Sequence, residues 1–195
     1  MAGRRGGLTR AIAPDTSFMN MDISSRLRAA IRDIPDFPKP GILFRDITPL
    51  LADPGLFREA VGEFARICRA KNADKIAGID ARGFLFGATV AYELGLGFVP
   101  IRKKGKLPFH TITQSYDLEY GSAEVEIHTD AFQKDERVAL IDDLLATGGT
   151  AGAAIKLIRH SGANVVTAAF LIELSGLSGR AVLGDVTAEA IVSYA

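Results

Sequence analysis

Two adjacent carboxylates, Asp142 and Asp143, stand between an apolar run that starts at Val138 and a small hydroxyl-bearing turn, Ala146-Thr147-Gly148-Gly149-Thr150. The run Val138 to Asp142 lacks polar alternation and predicts a strand buried on both faces of a parallel sheet, with the carboxylates at its C-terminal end. From Ala151 to Arg159 the apolar spacing is helical. A strand, a Gly/Thr turn and a helix N-terminus together form an anion cradle. Glycines let backbone N–H groups approach a phosphate, threonine hydroxyls add donors, and the helix dipole favours negative charge. Carboxylate oxygens accept from O–H groups, so Asp142 and Asp143 would take the vicinal hydroxyls of a sugar whose phosphate sits in the turn. The ligand chemistry is that of a ribose 5-phosphate.

Other uses of such a turn are distinguishable. A Walker phosphate loop needs a Lys directly after its glycines, and its carboxylates do not precede them. A dinucleotide fingerprint needs the spacing GxGxxG, whereas Gly148 and Gly149 are adjacent. The plain alternative is an ordinary crossover turn with acidic residues at a strand end.

Two further strand ends carry charge. Lys75 to Ile79 reads as a short apolar strand that ends in Asp80-Ala81-Arg82-Gly83, ahead of an apolar helix from Phe84 to Glu93. An Arg fork suits phosphate oxygens, which makes this a candidate diphosphate loop. Phe98 to Ile101 predicts another strand, which hands over to Arg102, Lys103, Lys104 and Lys106. A solvated surface run is the common origin of such a cluster, but its place at a third strand end favours anion binding.

The elements that must position these residues follow in order. Ser24 to Ile34 has the apolar spacing of a short amphipathic helix, with Ser24 or Ser25 as cap. The segment PDFPKPGILFRDITPLL carries Pro35, Pro38, Pro40 and Pro49 and is expected to run stiff and extended, with Phe44 as a wall for a flat heterocycle or simply as core cover. Asp53 and Pro54 are expected to start a helix whose buried stripe includes Cys68, a structural thiol. The polar stretch Leu107 to Gly121 has no clean helical period and reads as a mobile lid. After it, Ala123 to Ile127 alternates against Glu124, Glu126 and His128 as a half-exposed strand. Asn164 to Leu174 and Ala190 to Tyr194 are the last strands. Apolar strands alternating with helices imply a mostly parallel α/β sheet with helices on both sides and ligands at the strand C-termini.

Composition narrows the class. The chain has 195 residues, 48% hydrophobic and 24% charged, which suits one domain over residues 23–195, preceded by a disordered extension over 1–22. Translation from Met19 or Met21 would remove most of that extension. Formal charge is zero, with 23 basic and 23 acidic residues, unlike the clustered basic excess of a nucleic-acid binder. One cysteine excludes an intrachain disulfide and fits a reducing, cytoplasmic setting. No apolar span is long enough for a membrane helix, and the N-terminus lacks a secretory signal core. His110, His128 and His160 have no metal-ligand spacing.

PDFPKPGILFRDITPLL, IAGIDARGFLFG, PIRKKGKLP, SYDLEYG and VALIDDLLATGGT occur in that order, and over Ile23 to Tyr194 the chain resembles the adenine phosphoribosyltransferases of the purine and pyrimidine phosphoribosyltransferase family. The resemblance implies a type I phosphoribosyltransferase fold: a mostly parallel twisted sheet flanked by helices, a mobile catalytic lid and a small N-terminal base-binding hood. It also implies transfer of the phosphoribosyl group of phosphoribosyl pyrophosphate (PRPP) to N9 of adenine, giving AMP and diphosphate in purine salvage. Mg²⁺ would enter as the PRPP complex, without direct protein ligands. Phe44 and Leu144 would sandwich adenine, with backbone groups at Leu43 and Arg45 on the base edge. Asp142 and Asp143 would hold the ribose, and Ala146, Thr147, Gly148, Gly149 and Thr150 the 5-phosphate. Asp80, Ala81, Arg82, Lys103 and Lys106 would meet the diphosphate, with Arg102 crossing from a second subunit of a homodimer. Members that act on 6-oxopurines carry a carboxylate immediately before the Thr-Gly pair, where this chain has Ala146. The motif therefore lacks that base, and the resemblance implies that Glu119 of the lid, next to Tyr120, handles the proton, with Arg82 as the second catalytic group. The competing readings are a PRPP- or purine-sensing regulator without catalysis, and a transferase for xanthine or a pyrimidine. The intact Glu119 segment disfavours the first, and the Phe44 segment disfavours the second.

Overall fold

Strand β7 (Arg137–Leu145) runs through the middle of the molecule, with Val138 to Ile141 wholly buried. The computed structural model describes residues 21–117 and 121–195. Seven strands form one sheet in the order β5-β6-β4-β3-β7-β8-β9. Its parallel part is β4 (Gly97–Lys103), β3 (Lys75–Ile79), β7, β8 (Asn164–Leu174) and β9 (Ala188–Tyr194). The edge hairpin, β5 (Thr111–Asp117) and β6 (Ser122–His128), joins antiparallel through β4.

The continuous apolar runs follow from burial on both faces. In β3, β7 and β8, Ile76, Ala139, Ile141, Ala169 and Leu171 face one core, while Ala77, Val138, Leu140, Ala168 and Phe170 face the other. A period of two with apolar residues at both phases requires helices on both sides. α1 (Ile23–Ala30), α3 (Pro54–Ala70) and α4 (Gly83–Leu94) cover the first face, where Phe86 meets Phe64 at 5.3 Å between ring centroids. α5 (Gly149–His160) covers the second with Ala154 and Ile158. Truncating a fully buried Phe such as Phe64 or Phe86 would cost about 3–5 kcal/mol. α3 starts as expected: Asp53 accepts from the N–H groups of Gly55 and Leu56 at 2.8 and 3.0 Å, with Pro54 in the first helical position. Cys68 is buried in its stripe.

Several elements differ from their sequence expectation. The first helix ends at Ala30 and is capped by Asp22, not Ser24 or Ser25. Residues expected in its last turn form β1 (Arg32–Pro35), which pairs antiparallel with β2 (Leu43–Asp46), Ile34 opposite Phe44. Ile31 and Ile34 fit either a helical or an extended stripe. Pro35 resists a helix before it, and the backbone of β2 supplies a partner. This hood docks on β9 through Tyr194, whose ring meets the guanidinium carbons of Arg28 and Arg45 at 4.2 and 3.8 Å. A short helix, α2 (Thr48–Ala52), links β2 to α3.

Much of the expected lid is strand. β5 pairs with β6 from Thr111–His128 to Asp117–Ser122, because Thr111, Ile112 and Thr113 suit a pleated edge and Ile112 and Tyr116 cover the second core. β4 continues through Arg102 and Lys103, so those cations belong to the strand and do not follow it. β7 likewise carries Asp142 and Asp143 inside its span. Glu126, read as solvent-facing, is buried. Residues 1–20 lie outside the described part. Among the described residues no helix is long and apolar enough to cross a membrane.

Candidate active site

β7 ends at Leu145, and α5 begins at Gly149, so Ala146-Thr147-Gly148 is a three-residue turn between a central strand and a helix N-terminus. Gly148 has φ +82°, a left-handed conformation that a side chain would strain. It is the helix cap and supplies no side-chain acceptor, which leaves the first N–H groups of α5 to an anion. A cavity of about 510 Å³ opens over this turn. It brings together all five predicted 5-phosphate residues, Ala146 to Thr150, with Asp142, Asp143, Asp80, Ala81, Arg82 and Lys103.

The two carboxylates are held differently. Asp142 Oδ1 accepts from the Asp143 N–H at 2.9 Å, and Asp143 Oδ2 faces Arg82 Nε at 2.7 Å. Gly83 makes that ion pair possible: a Cβ there would come within 2.8 Å of Asp142 Oδ1 and 2.9 Å of the Ile141 carbonyl. The start of α4 is thus pressed onto β7, with Arg82 over Asp143. Burial, then the charge of Asp143, pushes the Asp142 carboxyl well up from its ordinary range. Burial also raises Asp143, with the Arg82 cation opposing the rise. A ligand that donates hydroxyl protons to this pair would relieve a charge repulsion already present.

The remaining predicted diphosphate residues are only partly assembled. Lys103 lines the cavity, but Arg102 and Lys106 are not among its described lining residues. Arg102 Nε instead lies 3.3 Å from Asp80 Oδ2, and its Nη1 donates to the Lys106 carbonyl at 3.0 Å. Glu126 fixes the same turn, accepting from the N–H groups of Lys106 and Leu107 at 2.9 Å each. Burial works to raise the Glu126 carboxyl, but the donors at Leu107, Gly105 and Lys106 hold it below its usual value.

A second, smaller cavity of about 100 Å³ adjoins the first. Leu43, Phe44, Arg45 and Leu144, the four predicted base-binding residues, all line it, with Ile42, Ile172 and Leu174. Phe37 braces Phe44 edge-on at 5.1 Å. Arg82, Asp143 and Leu144 line both cavities. The arrangement is a charged, hydroxyl-accepting bowl that opens onto a flat apolar slot. Glu119 and Tyr120 lie outside the described residues.

Residues 50–182 match the family model of the phosphoribosyl transferase domain. The adenine phosphoribosyltransferase of Parvibaculum lavamentivorans is 63% identical over 151 residues, 77% of this chain and 86% of that protein. The chain belongs to the adenine phosphoribosyltransferases. The crystal structure of the adenine phosphoribosyltransferase of Thermoanaerobacter pseudethanolicus superposes with TM-score 0.85 at 46% identity, covering 87% of this chain and 99% of that one. That of the Saccharomyces cerevisiae adenine phosphoribosyltransferase, bound to an imino-altritol bisphosphate and adenine, has TM-score 0.83 at 39% identity, covering 87% and 98%.

The adenine phosphoribosyltransferase fold also places residues at the site that the sequence pattern had not singled out. Tyr116 lines the larger cavity from β5; its place in the motif SYDLEYG was the available signal. Glu126 was concealed by an alternation that looked solvent-facing. Gly179 and Val182 back the phosphate turn, and nothing local in the sequence announces this, because the contact spans some thirty residues.

Proposed function

We infer that this chain catalyses the reaction for which its family is named, adenine + PRPP → AMP + diphosphate. The observation that carries the assignment of roles is the junction of the two cavities at Arg82, Asp143 and Leu144. A ribose anchored between Asp142/Asp143 and the Ala146–Thr150 turn would present its anomeric carbon to a base held against Phe44 and Leu144. Displacement there develops oxocarbenium-like charge on the ribose. The chain's contribution is to orient adenine N9 in line and to stabilise the departing diphosphate with Arg82, Lys103 and the Asp80–Ala81 backbone. Glu119 takes the part of proton acceptor or donor for the base.

Mg²⁺ accompanies PRPP in this reading. Asp80, Asp142 and Asp143 supply hard oxygen acceptors around the larger cavity, and Mg²⁺ keeps several of its waters, through which these oxygens would meet it. Bound with PRPP, the ion would neutralise diphosphate charge. The isolated chain leaves Arg102 and Lys106 out of the cavity, which favours a homodimer in which Arg102 works across the interface. A buried lone cysteine and a phosphorylated sugar donor fit a cytoplasmic enzyme.

The deciding experiment is base selectivity. Adenine presents a C6 amino donor beside the N1 acceptor, and oxopurines present the reverse. Backbone groups at Leu43 to Arg45 matched to the first pattern should reject the second by ~10⁴ or more. Purified protein should form AMP from adenine, PRPP and Mg²⁺, and almost no IMP or GMP. Equal rates on hypoxanthine would overturn the adenine assignment. A fully active monomer in sedimentation would overturn the shared Arg102.

A further inference from the structure

Behind the phosphate turn, two short 3₁₀ segments, Ser175–Leu177 and Gly179–Leu183, follow β8. Their contact with the turn is backbone on backbone. A Cβ on Gly179 would collide with the Ala146 carbonyl, and one on Gly148 with the Gly179 carbonyl. A Cβ on Gly152, in α5, would come within 2.9 Å of Val182 Cγ1. The turn therefore has no freedom to recede while this segment stays in place.

Leu183 buries the end of the segment in the second core, and one arginine ties its start to the sheet. Arg180 Nε donates to Glu173 Oε1 at 2.6 Å, its Nη2 to Oε2 at 2.8 Å, and its Nη1 to the Ala188 carbonyl at 2.6 Å. Glu173 is buried in β8, in register with Leu145 on one side and Ser193 on the other. Leu145 is the last residue before the turn. A two-point guanidinium–carboxylate fork fixes orientation as well as distance. Neither Arg180 nor Glu173 lines the cavity at the phosphate turn or the base slot.

We propose that Arg180 and Glu173 are positioning residues for the 5-phosphate turn, acting through the backbone contact of Gly179 with Ala146 and Gly148. The proposal rests on the reading of Ala146–Thr150 as the 5-phosphate site. Because the segment abuts the phosphate turn and none of its residues lines the base slot, breaking the fork should loosen the grip on the sugar phosphate and spare the base slot.

The test compares Arg180→Gln, Arg180→Lys and a direct loop variant, Thr150→Val, in the full chain. Ribose 5-phosphate binding is measured by calorimetry, and KM by steady-state kinetics for each substrate. Arg180→Gln should weaken ribose 5-phosphate binding and raise KM for PRPP by roughly tenfold, since small misplacements of a binding group are costly. KM for adenine should stay within about twofold. Arg180→Lys, which keeps the charge but not the fork, should fall between Arg180→Gln and the parent, and it carries the test if Arg180→Gln does not fold. Unchanged ribose 5-phosphate affinity in the Arg180 variants, with Thr150→Val impaired, would overturn the positioning role alone. PRPP and adenine KM rising together would also overturn it, as general loosening. Unchanged affinity in Thr150→Val would remove the phosphate reading and the proposal with it.

Discussion

Arg82 Nε lies 2.7 Å from Oδ2 of Asp143, and the same guanidinium sits 5.5 Å from the centroid of the Phe44 ring. One side chain thus joins the carboxylate pair at the end of β7 to the aromatic wall of the smaller cavity. Asp143 engages the guanidinium through one contact, at Nε. In the proposed reading, ribose hydroxyls donating to Asp143 would compete with Arg82 for this carboxylate and leave the guanidinium available to the diphosphate.

Arg82→Ala is therefore expected to lower kcat by about 10²–10³, the usual cost of removing one preorganised donor. Arg82→Lys should recover only part of it, because a point charge cannot form the fork. Steady-state turnover of the Ala variant within twofold of the parent would reject this role.

Glu119→Gln keeps the size of the side chain and removes its charge. The chemical step should slow by ~10² to 10⁴, as expected when a proton-transfer group is lost, while PRPP affinity changes little. Single-turnover kinetics separates the two. Collapse of PRPP binding with intact chemistry would make Glu119 a binding residue.

How much of this was legible in the sequence depended on whether a residue's partner was local. β3, α4 and the start of α3 could be read closely, because Lys75–Ile79, Gly83–Leu94 and Asp53–Pro54 carry their own pattern and caps. Ala146 to Thr150, contiguous in the chain, line one cavity, and Leu43 to Arg45 line another together with Leu144, a distant residue that only the family resemblance linked to them. Arg32, Asp33 and Ile34 were misread as helix because their extended state depends on β2. Thr111–Asp117 looked irregular because the strand that it pairs with, β6, comes later in the chain and its pairing cannot be read locally. Glu126 lies on the face opposite Val125 and Ile127 as its alternation implies, but it is buried there, because it accepts from the N–H groups of Lys106 and Leu107 just after the neighbouring strand.

Cys68 is buried in α3, and burial pushes its thiol up to about 12. Almost no thiolate exists at neutral pH, and the thiolate is the reactive form. The native protein should resist a thiol-specific reagent and keep full activity in its presence, then label once in denaturant. Rapid labelling of the native protein with loss of activity would contradict this.

The Asp142/Asp143 pair should make stability fall with rising pH. Both carboxyls are raised in the fold, Asp142 by burial and by the charge of Asp143, Asp143 by burial against the opposing Arg82. Above the ordinary carboxylate value of 3.8 the folded chain consequently holds more protons at this pair than the unfolded chain does. Stability declines wherever the native state is the one that binds more protons. The penalty is absent below that value, grows as pH climbs through the raised folded values, and stays in force at neutral pH. Asp142→Asn removes the ionisation while its amide oxygen can still accept from the Asp143 N–H. Denaturant unfolding of the ligand-free variant should show a gain of about 1 kcal/mol at neutral pH, in the range typical when a functional strain is relieved. The gain should shrink toward zero as the pH falls below the ordinary carboxylate range. PRPP affinity should drop in the same variant, because a hydroxyl acceptor has lost its charge. If the variant is no more stable at neutral pH than in acid, the pair carries no electrostatic penalty, and the raised carboxyls are not part of the site's design.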